Sequence, residues 1–126
     1  MSTEDRTALI YTAVVQASER WKSAFNEGDA EGCANQYEEH ATMEARPLGS
    51  FVGKDAIQQF WTKLIADGFS DVVYLNTSIQ VIDETSAILS SQWRMNKAQG
   101  MIHKELWVIQ DDGTAKLKED IFEVEK

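Results

Sequence analysis

Several residue types on which whole classes of protein depend are scarce in this sequence. Cys33 is the only cysteine among 126 residues, so no internal disulfide can form and a reducing compartment is favoured. The two histidines, His40 and His103, are too few and too isolated to suggest a metal site without help from carboxylates. Neither a phosphate-binding glycine loop nor a nucleophile elbow around a serine is present. We therefore expect no bound cofactor or metal.

Positive charge and long apolar runs are also scarce. Twelve basic residues stand against 21 acidic residues, which gives a formal net charge of −9. That charge repels phosphate backbones and anionic lipid surfaces, so we expect neither nucleic acid nor a membrane as a partner. No run approaches the roughly 20 apolar residues of a membrane helix, and the first residues, MSTEDRTALI, have no basic leader. The sequence thus predicts a cytoplasmic protein.

Helical periodicity fills the first half of the sequence. Apolar residues recur at spacings of three and four over residues 3–27, with no glycine or proline before residue 28. Gly28 suits the left-handed position just past a helix end, and Asp29 suits the cap of a second, short helix over residues 30–37. A third helix is expected over residues 54–66.

The second half has the period of strands. After Gly68, apolar and polar residues alternate, and four strands are expected over residues 71–82, 86–95, 101–110 and 115–124. The connections DET, NKAQG and DDG are typical of hairpins, whereas ATMEA, at 41–45, indicates only a brief extended segment before a loop. Three helices followed by an antiparallel meander predict an α+β fold in a single domain, residues 1–126.

The strand MIHKELWVIQ, residues 101–110, has an unusual face. Alternation places His103 and Glu105 beside Met101, Trp107 and Ile109. Because desolvating a charge is costly, two ionisable residues among apolar ones predict either a functional site or buried groups that hydrogen bonds satisfy.

Three short segments and the order of the elements carry a family resemblance. The segments are FNEGD between the first two helices, YEEHATMEA before the loop and FVGKDAIQQFW at the start of the third helix. Together they resemble the nuclear transport factor 2-like superfamily, most closely its ketosteroid isomerase and SnoaL-like branches. The resemblance spans nearly the whole chain and implies a strongly curved sheet that wraps around the first helix as a cone. It also implies a small hydrophobic ligand in the open end of that cone, and a homodimer.

The same resemblance implies roles for individual residues. Glu105 falls where ketosteroid isomerase keeps a protonated carboxylic acid in its oxyanion hole. Trp21 stands where the isomerase has its oxyanion-hole tyrosine, and Tyr37 and Trp61 fall at positions that support that tyrosine.

The general base of the isomerase has no counterpart here. Its position is Ala45 or Arg46, depending on the alignment, and neither side chain can accept a proton from carbon, so steroid isomerisation is not expected. In the polyketide cyclase branch an acidic residue on the last strand is the acid/base, and Asp120 lies near that place. His103, beside Glu105, is a candidate for the second member of a dyad. The catalytic candidates are therefore Glu105, Asp120 and His103.

A structural alternative stands beside each of these roles. An inward carboxylate can instead accept hydrogen bonds from the indoles of Trp21 or Trp93, or pair with an inward-facing Lys118 or with His103. Aromatic residues at such spacings are also typical of a core. These aromatic residues occur together with methionines and a few polar groups, and this combination favours a ligand pocket. Its expected lining is Trp21, Tyr37, Met43, Phe60, Trp61, Trp93, Trp107 and Phe122.

The opposite face of the sheet predicts an interface between two copies. Ile102, Leu106 and Val108 share this face with Lys104, and the last strand adds Leu117 and charged residues. A solvated face shows cleaner polar alternation, whereas a mixed composition is typical of an interface with an apolar centre and a polar rim. We expect a homodimer joined through these faces; the alternative is a monomer with a half-apolar sheet.

Overall fold

A computed structural model describes residues 3–125 of the chain. Three helices and six strands confirm the α+β class that the sequence predicts, and the first and third helices lie within one residue of their expected bounds. In chain order the elements are α1 (Thr3–Asn26), α2 (Ala30–Ala34), β1 (Tyr37–Arg46), β2 (Gly49–Val52), α3 (Lys54–Ala66), β3 (Val73–Val81), β4 (Ser86–Arg94), β5 (Gln99–Ile109) and β6 (Ala115–Glu125).

All six strands belong to one sheet, in the order β2-β1-β6-β5-β4-β3. Strands β3 to β6 pair antiparallel in chain order, so the expected meander is confirmed. On the far side of β6, β1 runs parallel to it and carries β2 as an antiparallel edge, which makes the sheet mixed. The sheet is curved and unclosed, and α1 packs across its strands β3 to β6.

The segment between α2 and α3 differs from the sequence prediction. α2 ends at Ala34, and residues 37–46 form a ten-residue strand where a helix end and a brief extended segment were expected. Ala41, Met43 and Ala45 are buried at every second position, which is the period of a strand. Because β1 pairs with β6, which lies far away in the sequence, its length depends on contacts that the local sequence does not show.

A β-bulge in β5 changes which side chains face the interior. The ladder to β6 shifts register between Ile102 and Lys104, so His103 is an extra residue. An inserted residue reverses the alternation beyond it. Ile102 and Glu105 therefore both face inward and are buried, whereas His103 is exposed. The expected inward positions of Met101 and His103 and the expected outward position of Ile102 are wrong.

A second bulge, in β6, has the same effect. The ladder shifts register between Leu106 and Trp107 of β5, and Lys118 is the extra residue opposite them. Leu117 and Asp120 are consequently both buried, whereas Lys118 is exposed. The expected inward position of Lys118 and outward position of Leu117 are wrong, and neither Lys118 nor His103 pairs with a buried carboxylate.

The end of α1 is fixed to the start of β3. Gly28 has a φ of 78° just past the helix, and the Asp29 side chain accepts the Gly32 N–H at 3.0 Å, as the sequence predicts. The Asn26 side chain accepts the Val72 N–H at 2.7 Å and donates to the Val72 carbonyl at 3.2 Å. These bonds hold α1 over the inner face of the sheet. No helix within residues 3–125 is long and apolar enough to cross a membrane.

Candidate functional site

A cavity of about 720 Å³ lies between the helices and the inner face of the sheet. That volume is in the range of pockets that hold a small organic molecule. Seven of the residues singled out from the sequence line it: Trp21, Phe60, Trp61, Trp93, Glu105, Asp120 and Phe122. The remaining walls are mainly aliphatic and aromatic, with Ile102, Val72 and Phe69 among them.

Four residues singled out from the sequence do not line this cavity. Tyr37, Met43 and Trp107 are at most 1% exposed and lie behind its wall. His103 lies on the outer face of the sheet, where its Nε2 is 2.8 Å from Oε1 of Glu123. The structure therefore does not bring His103 together with Glu105, and the expectation that they share a face is wrong.

Two buried carboxyl groups stand side by side on the cavity wall. Glu105 and Asp120 are direct partners in the β5–β6 ladder, and they are 5% and 3% exposed. Burial raises the pKa of both carboxyls, and the negative charge of Asp120 raises the pKa of Glu105 further. Because the two carboxyls lie side by side, the charge of the first to ionise holds the proton on the other.

Asp120 has one bonded and one unbonded oxygen. Its Oδ2 accepts a hydrogen bond from the Tyr37 hydroxyl at 2.7 Å, which lowers the Asp120 pKa against the effect of burial. The pKa of Tyr37 is raised by burial and by Asp120, so the phenol keeps its proton and remains a donor. The Oδ1 atom of Asp120 has no hydrogen-bond partner in residues 3–125. One oxygen of this carboxylate is thus positioned by a hydrogen bond, and the other is buried without one.

Glu105 has both oxygens in use. Its Oε1 accepts the Trp107 indole N–H at 3.0 Å, and its Oε2 accepts the Tyr74 hydroxyl at 3.4 Å. The Lys22 ammonium lies 4.7 Å from the centroid of the Tyr74 ring, and its positive charge lowers the Glu105 pKa. Glu105 is therefore held in place by two aromatic donors, one of which is part of the cavity wall.

Sequence reasoning missed Tyr74. If the β3–β4 hairpin is counted from the DET turn without interruption, Leu75 stands opposite Trp93. The ladder shifts register between Leu75 and Ser78, with Asn76 at a φ of 57°, and this puts Tyr74 opposite Trp93 instead. The only local indication is Asn76, since asparagine tolerates the left-handed conformation that a bulge requires.

The structural alternative for the carboxyls is only partly correct. The indoles of Trp21 and Trp93, which were candidates for bonding them, have no hydrogen-bond partner in the described chain.

Ala45 is fully buried, whereas Arg46 is exposed and paired with Glu44. The position considered for the general base of the isomerase therefore carries only the methyl group of Ala45 on the inner face, and it provides no carboxylate. No group of three or more metal-ligating side chains occurs among the described residues.

Solved structures share this arrangement of helices and sheet. A proposed scytalone dehydratase from Novosphingobium aromaticivorans DSM 12444 has a TM-score of 0.82 at 18% identity, covering 98% of this chain and 89% of its own. A ketosteroid isomerase-like protein from Erwinia carotovora atroseptica SCRI1043 has a TM-score of 0.75 at 15% identity, covering 94% and 95%. A nuclear transport factor 2-like protein of unknown function from Shewanella oneidensis MR-1 has a TM-score of 0.77 at 17% identity, covering 90% and 98%.

The fold is accordingly that of the nuclear transport factor 2-like superfamily, with a carboxyl pair in its cavity. The family model of the SnoaL-like domain matches residues 18–114, which include α2, α3 and most of the sheet. The chain belongs to the SnoaL-like domain family. No curated protein matches the sequence at a significant level.

Proposed function

We propose that this protein is a cofactor-independent acid–base enzyme of the isomerase, dehydratase or cyclase kind, acting on a small, mainly apolar carbonyl compound. The observation that carries the proposal is the pair Glu105 and Asp120, which lines an apolar cavity and includes one carboxylate oxygen without a hydrogen-bond partner. Two neighbouring carboxyls whose pKa values lie near neutrality provide a proton acceptor and a proton donor at the same pH. The fold relatives described as a proposed scytalone dehydratase and a ketosteroid isomerase-like protein support this class of reaction.

Asp120 and Glu105 take different parts in this proposal. Asp120, whose Oδ1 has no hydrogen-bond partner in the described residues, removes a proton from the carbon next to the substrate carbonyl. Glu105, whose pKa is raised by burial and by the negative charge of Asp120, gives its proton to the oxygen that becomes negative. Tyr37 and Tyr74 act through these carboxyls as positioning residues, since each donates to one of them. His103 takes no part, because it is exposed on the other side of the sheet.

The direct test is proton exchange at carbon. In D₂O, 2-tetralone serves as an apolar probe ketone, and loss of its α-proton signal is followed by NMR. We expect the protein to accelerate exchange and Asp120→Asn to lower the rate about 100-fold or more, which is the usual contribution of a general base. His103→Ala is the matched control and keeps the rate. An Asp120→Asn variant that folds and exchanges as fast as the original protein would rule out this mechanism.

A non-catalytic ligand-binding module is the second candidate. It is favoured by one observation: both oxygens of Glu105 are already hydrogen-bonded, as they are in a purely structural buried carboxyl. In that case 2-tetralone binds and quenches tryptophan fluorescence, but its α-protons exchange no faster than in buffer.

We further propose a homodimer formed through the outer face of the sheet, and a cytoplasmic location. The outer face carries half-buried apolar side chains, including Leu106 and Val108, together with an ion pair between Lys104 and Glu119 at 2.5 Å. An apolar centre with charged neighbours supports an interface. The acidic net charge and single buried cysteine support the location.

A further inference from the structure

Lys22 is a lysine of α1 whose side chain is largely withdrawn from solvent. It is only 21% exposed, although lysine side chains normally reach into water. Its ammonium lies 4.7 Å from the centroid of the Tyr74 ring, which lines the cavity, and 2.8 Å from the carboxylate of Glu19. The contact with the face of the ring and the ion pair together hold the ammonium against β3.

The position of Lys22 follows from the way α1 is attached to β3. The Asn26 side chain makes two hydrogen bonds to the backbone of Val72. Lys22 lies four residues before Asn26, and Tyr74 lies two residues after Val72. Four residues of an α-helix and two residues of a strand both span about 6–7 Å. The bonds of Asn26 therefore bring Lys22 over the Tyr74 ring.

Tyr74 connects this ammonium with the carboxyl pair of the cavity. Its ring carries Lys22 on one face, and its hydroxyl donates to Oε2 of Glu105 at 3.4 Å. Because protein rather than water lies between the two charges, their interaction is weakly screened. The positive charge lowers the pKa of Glu105 against the effects of burial and of Asp120. On its other side Glu105 stands beside Asp120, which the Tyr37 hydroxyl bonds.

The other charged residues around the cavity are placed differently. Lys63, Asp67 and Lys97 line it, but all three are exposed, so water and salt screen them. The Lys97 ammonium donates to the backbone carbonyl of Asp67 at 2.8 Å, at the end of α3. Among the residues that the structure describes, Lys22 is thus the cation that compensates the negative charge of the buried pair.

We propose that Lys22 is a positioning residue for the proton transfer, because its ammonium, held on the face of Tyr74, helps Glu105 to release its proton to the substrate oxygen. The inference rests on the proposed acid–base function. Without the ammonium, the carboxylate that Glu105 leaves behind has less compensation, so Glu105 holds its proton more firmly. If Lys22 only packed against Tyr74, an uncharged side chain of similar length would serve equally well.

The test is an NMR titration of the carboxyl groups in protein with ¹³C-labelled glutamate, in which Glu105→Gln assigns the Glu105 signal. We expect Lys22→Met, which keeps the chain length and removes the charge, to raise the proton affinity of Glu105 about threefold or more. Lys22→Arg keeps the charge and the contact with the ring, and it gives the original titration. Arg20→Met is the matched control, since it removes a positive charge at an exposed position of the same helix and leaves the titration unchanged.

A second variant acts in the opposite direction. Glu19→Gln removes the carboxylate that neutralises part of the Lys22 charge, so Glu105 loses its proton at a lower pH. Glu19 is 64% exposed, so this variant folds whether or not Lys22→Met does. An unchanged or lower proton affinity of Glu105 in Lys22→Met, or an unchanged or higher one in Glu19→Gln, would overturn the inference.

The pH profile of 2-tetralone exchange links the titration to function. If Glu105 is the proton donor, the rate falls at high pH as Glu105 ionises, and this fall moves to higher pH in Lys22→Met. A shifted titration without exchange in any variant, the original protein included, rules out the enzyme but keeps the compensating charge. Exchange with an unshifted titration rules out the role of Lys22 alone.

Discussion

Glu105 and Asp120 are buried carboxyl groups, and burial disfavours their charged form. Burial raises the pKa of Asp120 from its ordinary value of 3.8 to about 7. Burial and the charge of Asp120 together raise the pKa of Glu105 from 4.5 to about 8. At pH values between the ordinary and the raised pKa, the folded protein therefore keeps protons on these carboxyls that the unfolded chain has already released. Stability that depends on such groups is complete below the unfolded pKa and is lost as the pH rises through the folded pKa.

We predict that the protein is more stable at pH 5 than at pH 8.5. Glu105→Gln, which mimics the protonated acid, removes part of this dependence and makes the variant about 1–3 kcal/mol more stable than the original protein at pH 8.5. Urea unfolding at both pH values measures the effect. The control is Glu39→Gln, at an exposed position, which leaves the dependence unchanged. Stability that rises between pH 5 and 8.5 would contradict the raised pKa values.

The hydrogen bond from Tyr37 affects the pKa of Asp120. Its hydroxyl holds Oδ2 of Asp120 at 2.7 Å and lowers the pKa of that carboxyl. Tyr37→Phe removes the bond, so the Asp120 pKa rises and the proton-exchange rate needs a higher pH to reach its plateau. Stability falls by about 1 kcal/mol, the usual contribution of one hydrogen bond. The pH profile of 2-tetralone exchange is the measurement, and a profile identical to that of the original protein counts against the assigned role.

Bulges in the strands determine which side chains meet in the cavity, because an extra residue reverses the alternation of side chains between the two faces of the sheet. The extra residues His103 in β5 and Lys118 in β6 turn Glu105 and Asp120 toward the same side as Ile102 and Leu117. Without them, strict alternation along each strand would bring a different set of side chains to the cavity. Bulges also increase twist, which suits a sheet that curves around a helix.

Substitution of Gly100 tests the packing between β5 and its neighbouring strands. A methyl group there would overlap the Glu123 carbonyl oxygen and would lie 2.7 Å from the Trp93 ring. We predict that Gly100→Ala costs about 2 kcal/mol or more, as overpacking does, and displaces the Trp93 indole signal. Gly113→Ala is the matched control, since Gly113 has a φ of 86° and nothing within 4 Å of the added methyl group; it costs about 1 kcal/mol of backbone strain. Equal losses of stability would show that Trp93 is not held by Gly100.

One face of the sheet lines the cavity, and the other face is not covered by any helix of the described residues. The open face combines half-buried apolar side chains with charged ones, and two copies can cover it by a two-fold axis. Its composition differs from the sequence expectation, because Ile102 and Leu117 belong to the interior. Leu106 and Val108 remain as its apolar centre on β5.

We predict a dimer of the 14.2 kDa chain in sedimentation equilibrium at micromolar concentration. Leu106→Asp introduces a charge that the interface would desolvate, so it shifts the protein toward monomer and leaves 2-tetralone affinity nearly unchanged. Val52→Asp, at a 73% exposed apolar position on β2, is the control and keeps the dimer. A monomer at every concentration refutes the proposal.

Local sequence patterns define the helices and the strands of the meander. Apolar periodicity, the glycine after α1 and the Asp29 cap define the helices, and alternation with short turns defines the meander. Short segments such as FVGKDAIQQFW indicated the superfamily, and with the strand pattern they singled out Glu105 and Asp120. Each of these features depends on residues a few positions apart, so it can be recognised without a structure.

How these elements pack together depends on contacts between residues that are distant in the sequence. The parallel pairing of β1 with β6, the bulges at His103 and Lys118 and the Tyr74 hydroxyl on Glu105 join residues that are distant in the sequence. The curvature of the sheet around α1 sets where a ladder must shift register, and no single strand contains that information. For the same reason the sequence could not show that the Trp107 indole is bonded while those of Trp21 and Trp93 are not.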